Sequence, residues 1–249
     1  IRGESIFTGT VTKSELRAGG YVHLIANDVV HDLKRATLSQ SFQEANIQDI
    51  ATTTLDAVGA SYSVDLPDET TSGEFSDERC DKIIEKCSDW GHAVWTVTEQ
   101  NVLQLTQTVS GISSAYDLEH VIDAAPGERA MPYQSVQVEG TSPASRRGRP
   151  SMHLISSGSV VATVGEGDPT FRHQDSRIKT QSMADNAAQA IYDELQRQQA
   201  TGPITLAGDA RIRPYDTVTL PEHIDGGEYL VSSVQHRLTA RDGFRTTIQ

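Results

Sequence analysis

The sequence predicts a mainly β fold with an α+β insertion in its middle, and three observations carry that prediction. From Gly202 to Gln249, short apolar/polar alternations recur with period two. They fall at Ile204–Leu206, Val218–Leu220, Tyr229–Val234 and Phe244–Ile248, and Pro, Gly-Asp and Gly-Gly turns separate them. Near the other end, Ser5–Thr12 and Tyr21–Ala26 alternate in the same way on either side of Gly19-Gly20. Between these β-patterned ends lie two stretches of helical apolar spacing, Ile47–Val58 and Asp77–Trp90.

Taken in order, the first two strands read as a hairpin with a longer loop. Asp28–Arg35 follows as a turn and a short helix. Leu38–Ile47 then leads into a helix capped by Asn46, whose side-chain oxygen can accept from amides of the first turn. Ile47, Ile50, Ala51, Leu55 and Val58 share one face of it, and Gly59 is the C′ residue, free to adopt a left-handed conformation. Pro67–Phe75 is acidic and rich in Thr, Ser and Gly, and reads as a solvent loop. On the second helix Cys80, Ile83, Ile84 and Cys87 form the inner stripe, with Asp77, Glu78, Asp81, Glu85 and Lys86 largely outside it. Ala93–Thr98 and Val102–Thr106 make a hairpin around Glu99-Gln-Asn. Trp90 and Trp95 could form a ligand platform, but a pair at a helix end and in a strand fits core packing better.

Ser110–Gly127 is weakly patterned, with a turn of helix near Ala115–His120, and a strand returns within Arg129–Gly140. The loop 141–151 holds Arg146, Arg147 and Arg149, the one basic cluster of the chain. It reads as a solvated loop tip; the alternative is electrostatic contact with an acidic neighbouring subunit, a tape-measure protein or DNA. Met152–Ser156 and Val160–Val164 form a further hairpin. Gln181–Gln199 is a polar helix with a narrow stripe of Met183, Ala187, Ala190, Ile191 and Leu195.

Composition narrows the function classes. The 249 residues suit one large or two modest domains, and no apolar run approaches the ~20 residues of a membrane helix. Nothing at the N-terminus looks like a signal peptide. Acidic residues number 34 against 21 basic, a net charge of −13 that disfavours non-specific wrapping of nucleic acid. Abundant carboxylates, Thr and Ser with Lys only at positions 13, 34, 82, 86 and 179 suit a protein adapted to high salt. An ordinary acidic protein is the other reading.

The residues of chemistry do not assemble into a site. The eight His have no metal-ligand spacing, and no Gly-x-Ser-x-Gly elbow occurs. Gly165-Glu-Gly-Asp-Pro lacks the Gly-Lys-Ser/Thr ending of a phosphate loop, and its carboxylates would repel phosphate. Cys80 and Cys87, seven apart on a helix, are about 10 Å apart by helical rise, too far for a disulfide; they read as core residues. His236 reads as a strand-face residue. No catalytic residue, cofactor or metal is expected.

The order of parts carries a family resemblance. A long helix, a strand into a Gly-Asp turn, then Asp216-Thr-Val-Thr-Leu, Gly-Gly-Glu-Tyr-Leu-Val and Ser-Val-Gln-His-Arg-Leu resemble the last barrel of phage tail hub proteins of the late control protein D family, related to the hub part of type VI secretion spikes. Phe7-Thr-Gly-Thr-Val resembles a first-barrel strand, and Ser41-Phe followed by Ile47, Ile50 and Ala51 resembles the helical middle. The resemblance implies two small tube-like β-barrels plus a helix-containing middle domain. Residues 1–36 would be part of the first barrel, with earlier strands expected ahead of Ile1, and 37–110 the α+β domain. Residues 111–180 would complete the barrel or the middle domain, and 181–249 would form a linking helix and the second barrel.

What the resemblance further implies is a homotrimeric ring at the distal end of a virion tail. It would adapt a six-fold tail tube to a three-fold spike or fibre and leave a channel for DNA, without sequence-specific binding. Partners would be a tail tube or distal tail protein, a spike or fibre protein and a tape-measure protein. Interface residues would be Val218, Leu220, Tyr229, Val231, Val234 and the basic Arg146, Arg147 and Arg149. The composition adds a halophilic archaeal host. A tail-associated enzyme cutting cell-wall glycan and a β-rich carbohydrate-binding module are the alternatives, although aromatics make up only 6% of the chain.

Overall fold

A computed structural model of the chain describes residues 7–17, 21–107, 113–125, 127–128, 131–141, 160–197, 200–224, 226–239, 241 and 243–249. The elements begin with β1 (Thr10–Arg17), β2 (Tyr21–Asn27), α1 (Val29–Arg35), β3 (Thr37–Asn46), α2 (Ile47–Ala57), β4 (Ser61–Asp65), β5 (Thr70–Arg79) and α3 (Cys80–Gly91). Next come β6 (Val94–Val97), β7 (Val102–Thr106), β8 (Ala115–Asp117), β9 (Val121–Ala124), β10 (Gly127–Glu128), β11 (Ser135–Glu139), β12 (Val161–Gly165) and β13 (Thr170–Gln174). The chain ends with α4 (Gln181–Arg197), β14 (Ala200–Thr201), β15 (Ile204–Ala207), β16 (Thr217–Thr219), β17 (Glu228–Leu230), β18 (Val234–Thr239) and β19 (Gly243–Ile248). The mainly β expectation, with helices inserted, is borne out. Two compact units result: Ile1–Gln107 with Val136–Val164 and Phe171–Ala190, and Thr108–Ser135 with Gly165–Thr170 and Ile191–Gln249.

In the first unit, β1 and β2 pair as the expected antiparallel hairpin. Its first strand lies later than the Ser5–Thr12 pattern suggested: Phe7–Gly9 precede it, and Ser5 and Ile6 lie outside the described residues. Asp28 caps α1 by accepting from the Val30 amide, and Asn46 caps α2 by accepting from the Gln48 amide at 2.8 Å. Gly59 takes φ +67° just past α2, as its sequence position required. Ile47, Ile50, Ala51 and Leu55 are wholly buried, as are Ile83, Ile84, Cys80 and Cys87 of α3, which packs on α2. β6 and β7 form the expected hairpin, and β4 joins it in parallel to make a sheet ordered β4-β7-β6.

Two expectations in this unit fail for one reason. Pro67–Phe75 is largely strand, because β5 pairs with β3 across two irregularities and turns Thr71 and Phe75 inward. That pairing runs on through Asp77–Arg79, so α3 begins only at Cys80. Asp81 is then buried instead of outside: Arg79 folds over it with Nε–Oδ1 at 2.9 Å and Nη2–Oδ2 at 2.5 Å. A three-stranded sheet, β12-β11-β13, completes the unit. The expected strand Met152–Ser156 lies outside the described residues. Met183, Ala184, Ala187 and Ala188 form the buried stripe of α4.

In the second unit, besides the short β10-β14 pair, two sheets ordered β18-β19-β15-β9 and β17-β16-β8 surround one core of Leu118, Ile204, Leu206, Ile212, Val218, Leu220, Val231 and Ile248. Ala115–His120 is not helical. Tyr116 instead lies in register with Val218, as β8 pairs in parallel with β16. Tyr229–Val234 is not one strand either. The Val231 amide donates to the Asp216 carbonyl and the Ser232 amide to the Gln249 carbonyl, so the chain leaves one sheet there and enters the other.

Candidate functional site

The sequence-derived interface residues occupy different environments. Val218, Leu220 and Val231 are buried in the second unit's core. They therefore shape their strands from within. Tyr229 and Val234 are half-buried. Val218 and Tyr229 are cross-strand partners, and both line a small apolar cleft of about 30 Å³ together with Ile204, Leu230 and Ile248. Strands β17 and β18 are edges of their sheets, and each carries an exposed leucine, Leu230 and Leu238. Arg146, Arg147 and Arg149 lie outside the described residues.

The sequence reading missed the apolar surface of the β1–β2 hairpin, the most exposed among the described residues. Leu16 pairs with Val22 and Ser14 with Leu24, so these side chains share a face. Strict alternation would put Val11 on the other face. A bulge between Val11 and Lys13 re-aims it, and Val11 pairs with Ala26 on the apolar side. The opposite face is mixed: Ile25 pairs with Lys13 there, beside an ionic group with Lys13 Nζ 2.7 Å and His23 Nδ1 3.8 Å from the Glu15 carboxylate. The available signal was the apolar run Val22, Leu24, Ala26 opposite Leu16, but the bulge cannot be read from one strand.

A polar groove of about 350 Å³ lies in the second unit, lined by Asp117, Glu119, His120, Asp209 and Arg211 with Leu118, Leu206 and Ala207. Arg211 holds Asp209 through Nε–Oδ1 at 3.0 Å and Nη2–Oδ2 at 2.7 Å, and this pairing keeps the carboxyl below its ordinary range. Asp209 is thus an anion at neutral pH and poorly suited to donate a proton to a leaving group. Behind the groove, His236 Nδ1 lies 2.9 Å from Thr246 Oγ1. Among the described residues no group of three or more His, Cys, Asp and Glu is arranged to hold a metal ion.

Among the described residues, a dense charge cluster in the first unit braces the fold. Arg177 donates to Glu78 at 2.9 Å and to Asp175 at 3.0 Å, and its guanidinium stacks over Phe75, 4.8 Å from the ring centroid. Lys86 also donates to Glu78, and Thr71 Oγ1 donates to the Arg177 carbonyl. Burial alone would raise the Glu78 pKa, but the hydrogen bonds from Lys86 and Arg177 outweigh it and hold the group ionised. Burial pushes the Cys87 thiol up, so it is an inert core residue, as its spacing suggested.

Known structures share this fold. The 43 kDa tail protein of prophage MuSo2 from Shewanella oneidensis superposes with a TM-score of 0.69 at 15% identity, covering 100% of this chain and 80% of that one. A tail protein from Neisseria meningitidis MC58 gives 0.70 at 11% identity, covering 97% and 78%. The chain shares the fold of phage tail proteins. A component of the type VI secretion system of E. coli, itself described as similar to T4 bacteriophage tail proteins gp27 and gp5, gives 0.59 at 10% identity, covering 96% of this chain and 58% of that one. No protein-family profile and no curated protein sequence matches the chain. Among the described residues no helix is long and apolar enough to cross a membrane.

Proposed function

We propose that the chain is a structural hub of a virus tail or related injection machine. Three copies form a ring that adapts a six-fold tail tube to a three-fold spike or fibre and leaves a channel for DNA. The observation that carries this reading is the likeness in fold to phage tail proteins, which extends over the whole chain. Exposed apolar side chains on a hairpin and on sheet edges support it, since edges and ribbons are how β proteins join copies. In this scheme the strands around Val218–Leu220 and Tyr229–Val234 contribute through their backbone edges, because several of their side chains face inward. Residues 1–36 belong to one barrel and 181–249 to the other, and Arg146, Arg147 and Arg149 meet an acidic neighbour. The tail tube or distal tail protein, the tape-measure protein and the spike or fibre are its partners. The net charge of −13 lets DNA pass without being held.

Electron microscopy of the purified protein in molar KCl tests the reading. Three-fold rings with an open centre, alone or with tail-tube protein added, are the expected result. Compact monomers under both conditions, together with release of fragments from cell-envelope glycan, would replace it with an enzymatic role centred on the polar groove.

A further inference from the structure

The outer face of the sheet β18-β19-β15-β9 carries charge that sequence order conceals. Ile204, Leu206 and Ile248 turn into the second unit's core, so the alternate positions Thr205, Ala207, Arg245 and Thr247 face away from it. Register places Arg237 directly opposite Arg245 and Gln235 opposite Thr247 on that face. Thr205 continues the second row, its hydroxyl oxygen 3.3 Å from that of Thr247. Arg237 and Gln235 are exposed and Arg245 is half-buried. Arg241 follows in the turn between β18 and β19, so Val234–Ile248 holds three arginines against Asp242 alone, a net charge of +2 in a chain of −13. Like charges directly opposite each other weaken a strand pair. The next residue in the arginine row is Ala207, which brings no opposing charge.

We propose that this face binds the phosphodiester backbone of a nucleic-acid strand, with Arg237 and Arg245 sharing one phosphate. An oxyanion between the two guanidiniums relieves their repulsion, and each planar fork matches phosphate oxygens. Same-face residues on a strand recur every ~6.8 Å, which puts Gln235, Thr247 and Thr205 one step from the arginine row. Gln and Thr side chains are common donors to phosphate. A free anion would use the arginine pair alone, whereas a polymer of phosphates engages both rows. His236 and Phe244, stacked on each other, lie on the other side of the sheet, so the bases find no aromatic platform in these strands. Binding is therefore blind to sequence and alike for single strands and duplex. Asp123, opposite Thr205, ends the polar row with a carboxylate, and the rest of the chain is acidic, so the contact is weak and sensitive to salt. The inference goes beyond the hub reading, which gives DNA a passage but no contact, and a single copy suffices to show it.

Fluorescence anisotropy of the full chain with a labelled oligonucleotide, single-stranded and as a duplex, tests it. The wild type should bind both alike and lose roughly tenfold in affinity between about 50 and 200 mM KCl, as two phosphate contacts require. Arg237→Gln should weaken binding and reduce the salt slope by about one, without lowering the urea midpoint, because it removes a like-charge pair. Asp123→Asn should strengthen binding, which keeps the test valid if the arginine variant is disturbed in its fold. No binding at the lower salt, or equal affinity and slope for Arg237→Gln and the wild type, would overturn the inference. Competition by inorganic phosphate as strong, per phosphate, as by DNA would reduce the site to a free-anion site and overturn the polymer. Polyglutamate competing as well as DNA would assign the face to an acidic protein and overturn it too. Three-fold rings that bind no DNA would sink this inference alone, and monomers that bind DNA through Arg237 would uphold it while the hub reading fails.

Discussion

The helix pair α2–α3 and the hairpin β1–β2 belong to the same unit and carry the same kind of residue, yet they treat it in opposite ways. Ile50, Leu55, Ile83 and Ile84 are wholly covered within the chain, whereas Leu16 and Leu24 stand in solvent. Both sets are regularly spaced, so spacing decides only which side chains share a face. What covers the face depends on neighbours in space, which for the helices are in the same chain. Each buried leucine or isoleucine contributes about 1.5–3 kcal/mol to the fold. In the hairpin that free energy is still available for association.

The largest change should come from the brace beneath the helices. Arg177→Ala leaves Asp175 and Glu78 without their shared cation in a poorly solvated place, which costs about 3–5 kcal/mol. Trp90 lies 5.9 Å from that guanidinium, so its fluorescence during urea unfolding reports the loss directly. The sign with pH follows from Glu78. Its folded-state pKa is depressed, so its stabilisation is fully present above the unfolded value and is lost as pH falls through the folded one. The variant should show a shallower acid loss than the wild type. An unaltered urea midpoint would mean that the brace is not structural.

One substitution made in two places sharpens the comparison. Leu55→Ala should cost about 2–5 kcal/mol, the penalty for a cavity at a fully buried site. Leu24→Ala, measured at concentrations where the protein is monomeric, should change stability by less than about 0.5 kcal/mol. A cost above roughly 1 kcal/mol at Leu24 would show that the hairpin is already packed within the chain, and the contrast would collapse.

The sequence made the caps and helices legible because their signals are local: Asn46, Gly59 and the spacing Ile47, Ile50, Leu55 each act within a turn or two. Strand β5 was not legible, since Thr70–Gly73 looks like a loop until β3 pairs with it. The same holds for β8, whose partner Val218 is about a hundred residues away. Of the residues expected at an interface, Val218, Leu220 and Val231 have side chains buried within the chain, because alternation marks an inward face as readily as an outward one. The hairpin face was hidden by a bulge, a feature of two strands together.

The smallest expected effect lies in the second unit, at a residue whose sequence reading as a strand-face histidine the structure supports. His236 sits on β18 beside Phe244, ring centroids 5.5 Å apart, with Nδ1 toward Thr246 Oγ1. Burial pushes its pKa below the ordinary 6.5, and the Asp209 carboxylate only partly offsets this. The folded chain therefore binds this proton less readily than the unfolded one. Stability from this site is complete above pH 6.5 and is lost as pH falls through the folded-state value. His236→Gln keeps a polar group near Thr246 but cannot titrate. Its denaturation midpoint should fall less steeply than the wild type's as pH drops from neutrality toward the carboxylate range. Leu24→Ala, in a hairpin that the second unit's titration does not involve, should follow the wild-type slope. If His236→Gln tracks the wild type at every pH, the histidine is not linked to folding, and the acid response belongs to the carboxylates of the first unit.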